Sequence, residues 1–186
     1  MLKTNERTPS AAPTARVTYR AALAKDAADQ AEVFYHAVMQ GAATHYGLDE
    51  RRAWANALPR EASAWAARQA LYTTLVAACD GRCVGFLELN ISAGRIETLY
   101  VWPSVARQGV GSRLLSLSIE ALREAGHGEA MIEASLVLAP SLAGRGWATL
   151  GEEWSERQGY VDTHRAAETV QFLASDASGF MTGQVL

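Results

Sequence analysis

The sequence predicts a mixed α/β (α+β) fold in a single domain, and three observations lead there. Residues 73–89 hold two β-patterned runs joined at Asp80-Gly81, a pair suited to the positive φ values of a two-residue hairpin turn. An apolar run over residues 99–102 stops at Pro103; Gly109 and Gly111 follow, and then an amphipathic helix. Upstream, Ala31, Val33, Phe34, Ala37 and Val38 recur at helical spacing. Strands and helices therefore alternate, and 186 residues suffice for one substantial core.

Taken in order, residues 17–20 alternate like a short strand, and residues 26–41 read as a helix that Gly41 breaks. Residues 42–58 carry His45, Tyr46 and Trp54 and end at Pro59; residues 62–70 form another helical stretch containing Trp65. The hairpin comes next, then a strand over residues 94–101 and the amphipathic helix over residues 114–125, which Gly126 ends. Residues 129–136 read as a strand, 140–143 as a short helical piece and 147–153 as a further strand.

Composition narrows the function classes. A formal net charge of −3 argues against a basic nucleic-acid surface. No apolar run approaches the roughly 20 residues that span a bilayer, so no membrane partner is expected. Residues 1–15, rich in Thr, Pro and Ala without an apolar signal core, read as a disordered leader, which fits a cytoplasmic setting. A hairpin turn at Asp80-Gly81 sets Cys79 opposite Arg82, so Cys79 and Cys83 read as strand thiols ahead of a disulfide. Two cysteines are too few ligands for a metal site, and no metal is expected.

Glycine allows backbone to lie close to a ligand, and a helix beginning just after it offers unpaired N–H groups. Gly109 and Gly111 before a helix are thus the ingredients of a phosphate cradle. A Walker loop is excluded because the only lysines are Lys3 and Lys25. A dinucleotide fingerprint lacks its third glycine, since Leu114 stands there.

The wider pattern, Leu99-Tyr100-Val101-Trp102-Pro103 followed by Arg107-Gln108-Gly109-Val110-Gly111-Ser112-Arg113-Leu114-Leu115, resembles the acetyl-CoA motif of the GNAT (GCN5-related) N-acetyltransferase superfamily. Glu133-Ala134-Ser135 through Arg145-Gly146-Trp147 resembles that superfamily's end-of-domain signature, and the resemblance runs over about residues 17–165. It implies a three-layer fold with a mixed, mostly antiparallel central sheet splayed between strands 4 and 5 and flanked by helices. It also implies acetyl-CoA as co-substrate and transfer of acetyl to a primary amine of a small molecule or peptide. Leu99, Tyr100 and Val101 would contact the pantetheine arm through backbone, and Arg107, Gln108, Gly109, Val110, Gly111 and Ser112 would surround the pyrophosphate. A homodimer is common among such folds, and no sequence feature fixes one here.

Glu97 is the first candidate for general base, because alternation places it on one strand face with Leu99 and Val101; a plain surface glutamate is the competing reading. Glu133 is the second candidate, with a structural contact as its alternative. His45 and Tyr46 fall in the variable region that shapes the acceptor site in this superfamily, with a solvated or internally satisfied histidine as the competing reading; Trp54 and Trp65 are candidates to line that site, with plain core packing as their alternative. Two positions depart from the pattern. Ala106 replaces the usual Gln or Arg of the loop, and Leu142 replaces the tyrosine that often protonates the leaving thiolate. Both keep open a second reading, a weak or silent acyl-CoA-binding protein of the same fold.

Residues 167–186 resemble instead the C-terminal segment of short-chain dehydrogenases, ending Thr182-Gly183-Gln184-Val185-Leu186, and read as an atypical tail of a helix followed by a short strand or coil. The rest of the dehydrogenase pattern is absent, so no nicotinamide chemistry is expected. A remnant of the superfamily's closing strand is read over residues 160–164.

Overall fold

The turn at Asp80-Gly81 takes φ values of 49° and 79°, the left-handed pair that matches strand twist in a two-residue hairpin. It joins β2 (Thr73–Cys79) to β3 (Arg82–Asn90) with Cys79 opposite Arg82, as the sequence predicts. β1 (Val17–Ala21) pairs antiparallel outside β2, and β4 (Arg95–Val101) pairs antiparallel with β3. The computed structural model describes residues 16–155 and 167–175. The leader over residues 1–15, the strand read over residues 160–164 and the tail end over residues 176–186 lie outside them.

β5 (Glu129–Ser135) joins β4 in parallel through only two register positions, Arg95 with Met131 and Ile96 with Ile132. On its far side β5 pairs antiparallel along its length with β7 (Ala167–Ser175), and β6 (Ala148–Ser155) lies outermost. The seven-stranded order is β1-β2-β3-β4-β5-β7-β6. The expected mixed, mostly antiparallel sheet splayed at strands 4 and 5 is thus present. The helix expected at the start of the tail is corrected: residues 167–175 form a strand inside the sheet. In the sequence Val170, Phe172 and Ala174 alternate with Thr169, Gln171 and Leu173, a period of two that suits the edge offered by β5.

Helices cover both faces and complete three layers. α1 (Asp26–His36), α2 (Leu48–Ala55) and α3 (Ala62–Leu71) lie on one side, where Phe34, Trp54, Trp65 and Phe86 share a cluster. α4 (Val110–Glu124) lies on the other, packing Leu114, Leu115 and Leu122 against Leu87, Leu89 and Ile96. A five-residue helix, α5 (Ala139–Ala143), precedes β6. α1 runs straight into a π-helical turn over Ala37–Gly41, and only part of residues 42–58 is helical. The buried carboxylate of Asp26 starts α1, accepting from the Leu23 N–H (2.7 Å) and pairing with Arg20 (2.5 Å). Burial pushes this carboxyl's pKa up, but those two partners outweigh it and hold it below the ordinary value.

Candidate functional site where two strands part

Beyond its two shared positions β4 diverges from β5, leaving the β5-facing backbone edge of β4 without ladder partners over its C-terminal half. A cavity of about 280 Å³ opens at this divergence. Glu97, Thr98 and Tyr100 from β4 line it together with Glu133 from β5 and Phe34, Tyr46 and Trp54 from the helical layer. Both candidate bases are therefore brought into one space.

A β-bulge decides how Glu97 points. Glu88 of β3 pairs with Thr98, but the next residue, Leu89, pairs with Ile96, so Glu97 is the extra residue. Ile96, Leu99 and Val101 all pack in the α4-side cluster. The expectation that Glu97 shares a face with Leu99 and Val101 is corrected: the bulge interrupts the alternation, and Glu97 falls on the side of Thr98 and Tyr100. Pleating alone would have turned it away from the cavity.

Arg95 ties the two carboxylates together from just below the parting point. Its Nη2 donates to Glu133 Oε2 at 3.2 Å, and its Nε lies 3.5 Å from Glu97 Oε2. Next to this group, Glu88 is fully buried and takes a bidentate pair from Arg68 (2.6–3.1 Å) and a hydrogen bond from Thr98 Oγ1 (2.8 Å). Burial works against the charge on Arg68, yet the Glu88 carboxylate holds its pKa above the ordinary value. Thr98 thus links the cavity wall to a buried ion pair.

The opposite wall is aromatic. Phe34 meets Tyr100 edge-on at 5.0 Å between ring centroids, and Tyr46 meets Trp54 at 5.4 Å. Trp54 Nε1–H donates to the Tyr100 hydroxyl (3.2 Å), and the Leu136 N–H donates to the Tyr46 hydroxyl (2.8 Å). These bonds satisfy polar tips that would otherwise be costly to bury. Of the residues expected at an acceptor site, Tyr46 and Trp54 line this cavity. His45 does not: it is exposed beside Thr44, because the turn that buries Tyr46 sends its neighbour to solvent. Trp65 is fully buried, donates to the Pro59 carbonyl and belongs to the core.

At the far end of β4 the chain turns through a short 3₁₀ segment (Pro103–Val105) into α4. Gly109 caps the helix with φ +81°, a conformation its missing Cβ makes accessible. Arg107 also has positive φ, 63°, a rarer state for a side-chain-bearing residue. Arg107, Gln108 and Gly109 are exposed, Val110 is buried against the core, and Gln108 donates to the Ser104 carbonyl (3.1 Å). Gly111 differs from Gly109. Its φ is not positive, and a Cβ there would meet only Val101 Cγ2 at 3.5 Å, an ordinary contact. The fold itself does not require this glycine, which fits a ligand approaching α4 from outside. The first-turn amides of α4, the open β4 edge and the exposed loop together fit an extended, phosphate-bearing group.

Arg145, which sequence reasoning passed over as a site residue, donates through Nη2 to Ser112 Oγ in the first turn of α4. Arg95 and Thr98 were missed as well, since only the register between β4 and its neighbours brings them to the carboxylates. Leu142 is fully buried in the apolar core, so its position offers no proton donor. Among the described residues no group of three or more His, Cys, Asp or Glu could hold a metal ion, and no helix is long and apolar enough to cross a membrane.

Residues 22–164 match the family model of the acetyltransferase (GNAT) domain. No curated protein sequence matches significantly. Among solved structures, the chain is similar to a GCN5-related N-acetyltransferase from Rhodopseudomonas palustris (TM-score 0.77, 26% identity, covering 85% of this chain and 94% of that one). PaiA N-acetyltransferase from Thermoplasma acidophilum, solved with coenzyme A, shares the fold at 17% identity (TM-score 0.64, covering 84% and 98%). So does YncA of Salmonella typhimurium, a protein solved with acetyl-CoA (TM-score 0.58, 22% identity, covering 92% and 98%).

Proposed function

The chain belongs to the GNAT acetyltransferase family, and on that premise we propose that it moves the acetyl group of acetyl-CoA onto a primary amine of a small molecule or peptide. One observation carries the reading. A carboxylate (Glu97), the stretch of β4 that runs on past its ladder with β5 (Leu99 to Val101) and a glycine-capped helix start (Gly109) follow one another along a single stretch of chain beside one cavity.

Bound acetyl-CoA supplies an activated thioester. The chain's own groups do the rest. Leu99, Tyr100 and Val101 offer backbone N–H and C=O groups to an extended arm, as an added strand would be held. The free amides of Gly111 and Ser112 face the pyrophosphate at the positive end of the α4 dipole, with Arg107 and Gln108 flanking. Glu97 accepts a proton from the acceptor ammonium, directly or through one water, so that a neutral amine attacks. Glu133, held by Arg95, keeps a second negative charge nearby that favours binding of the cationic acceptor. Phe34, Tyr46, Trp54 and Tyr100 shield the reacting groups from water and accommodate the apolar part of the acceptor. Backbone N–H groups on the β4 edge aim at negative charge developing on the carbonyl oxygen; as that charge returns to the carbonyl the C–S bond breaks, and the thiolate leaves as the free thiol with the proton shed by the attacking nitrogen, relayed through solvent.

The second reading, a silent acyl-CoA-binding protein, is favoured by Leu142, which leaves the usual acid position apolar. Calorimetric titration with acetyl-CoA, followed by a thiol-release screen over amines, amino acids, polyamines and peptides, separates the two. Binding with thiol release in the presence of an acceptor supports transfer. Binding without release for any amine supports the silent protein, and absence of binding overturns both.

A further inference from the structure

We propose that Arg145 is a phosphate-binding residue of the coenzyme site; this rests on the acetyl-CoA reading above and adds a contact from outside the Gly109–Gly111 loop. Arg145 follows α5 in a turn set by three backbone bonds: its own N–H and that of Trp147 to the Leu142 carbonyl (2.9 and 3.2 Å), and the Gly146 N–H to Ala143 (3.1 Å). Gly146 completes the turn with φ +81°. Leu142 and Trp147 are buried on either side, so the exposed Arg145 projects from a backbone anchored at both ends.

From there its guanidinium reaches Ser112 Oγ in the first turn of α4. That is the positive end of a helix dipole, where a cation is electrostatically disfavoured and an anion favoured. No carboxylate pairs with Arg145 among the described ion pairs, although other arginines find one: Arg113 lies 3.5 Å from Glu120. A cation and a helix N-terminus side by side both favour the same kind of ligand, a phosphate dianion or diphosphate. Within the loop, Ala106 offers no side-chain donor and the Gln108 amide is turned to Ser104. Arg145 supplies a planar, multiply donating group from the facing turn, the geometry that phosphate oxygens accept.

The test is calorimetric titration of full-length protein with coenzyme A and with 3′-dephospho-coenzyme A, for wild type, Arg145→Gln, Arg145→Lys and the charge control Lys25→Gln. Wild type and Lys25→Gln should bind coenzyme A alike. Arg145→Gln should bind it at least about tenfold more weakly, with a shallower salt dependence, and Arg145→Lys should fall between. An equal loss for both ligands locates Arg145 at the pyrophosphate, and a loss confined to coenzyme A locates it at the 3′-phosphate; either supports the proposal. Unchanged affinity of Arg145→Gln, with a melting temperature equal to wild type, overturns it. Failure of the wild type to bind coenzyme A would overturn the acetyl-CoA reading itself, a result visible before any variant is compared.

Discussion

The two faces of the sheet solve different problems with different residues. Between the sheet and α4 the packing is Leu, Ile, Val and Ala, with Leu87, Leu89 and Ile96 of the strands meeting Leu114 and Leu122 of the helix, all fully buried. Between the sheet and α1 to α3 it is Phe86 of β3 with Phe34, Tyr46, Trp54 and Trp65 of the helical layer, and on that side Glu88 and Asp26 are buried with arginine partners. The aliphatic face needs only volume and shape, and on it rests the helix whose first turn fits phosphate. The aromatic face carries hydroxyls, an indole N–H and carboxylates around a cavity, each requiring a specific partner. On the proposed reading the coenzyme-facing half therefore leans on backbone groups over generic packing, with Arg145 as the added side chain, while the acceptor-facing half is built from side chains.

Variants on each face can break or sharpen that contrast. Glu97→Gln removes the proposed base and should lower turnover by about 10²–10⁴. Coenzyme affinity by calorimetry should not change, because it depends on the other half; a matching loss of affinity would break the division. Arg68→Met leaves the Glu88 charge buried without its partner and should cost about 3–5 kcal/mol in urea unfolding. Adding Glu88→Leu should restore most of that, which distinguishes a specific ion pair from lost volume. On the other face Leu114→Ala should cost about 2–5 kcal/mol, the price of a cavity alone, with no second-site partner able to restore it.

Smaller effects follow from titration. Asp29 is held below the ordinary carboxylate value by its hydrogen bonds from Arg82, against the opposing effect of burial, and Asp26 is depressed as well. Each binds its proton less readily folded than unfolded, so its contribution is present at neutral pH and lost as pH falls below about 4. Unfolding free energy measured from pH 6 to pH 3 should fall, and Asp29→Asn should flatten that slope. Smallest of all, burial pushes the Cys83 thiol up to about 12. In native protein at pH 8 a chromogenic disulfide should label half-buried Cys79 and leave Cys83 unreacted until denaturant is added.

The contrast between the faces also explains what could be read from the chain. The hairpin was legible because Asp80-Gly81 specifies its turn locally; α4 was legible as a helix, but it begins at Val110, capped by Gly109, four residues before the start read from its apolar pattern. Glu97 and Glu133 could be picked out singly as candidates but not as a pair: Arg95 joins them only once β4 and β5 are in register. The orientation of Glu97 could not be read, since a bulge is a mismatch between two strands and leaves no mark on one. Arg145 was hidden for the same reason, its partner lying 33 positions earlier. Residues 167–175 were misread because their resemblance to another family suggested a helix, while their period of two points to a strand.

The placement of β7 between β5 and β6 has a consequence for synthesis. On a ribosome β6 emerges before the strand it pairs with, and the outer edge of β5 stays open until Ala167–Ser175 arrives. β6 and the outer edge of β5 wait unpaired through that interval, the state in which sheet edges recruit foreign chains. The order in which this polypeptide is made thus sets when it is most exposed to aggregation, and that moment closes only once β7 has been made.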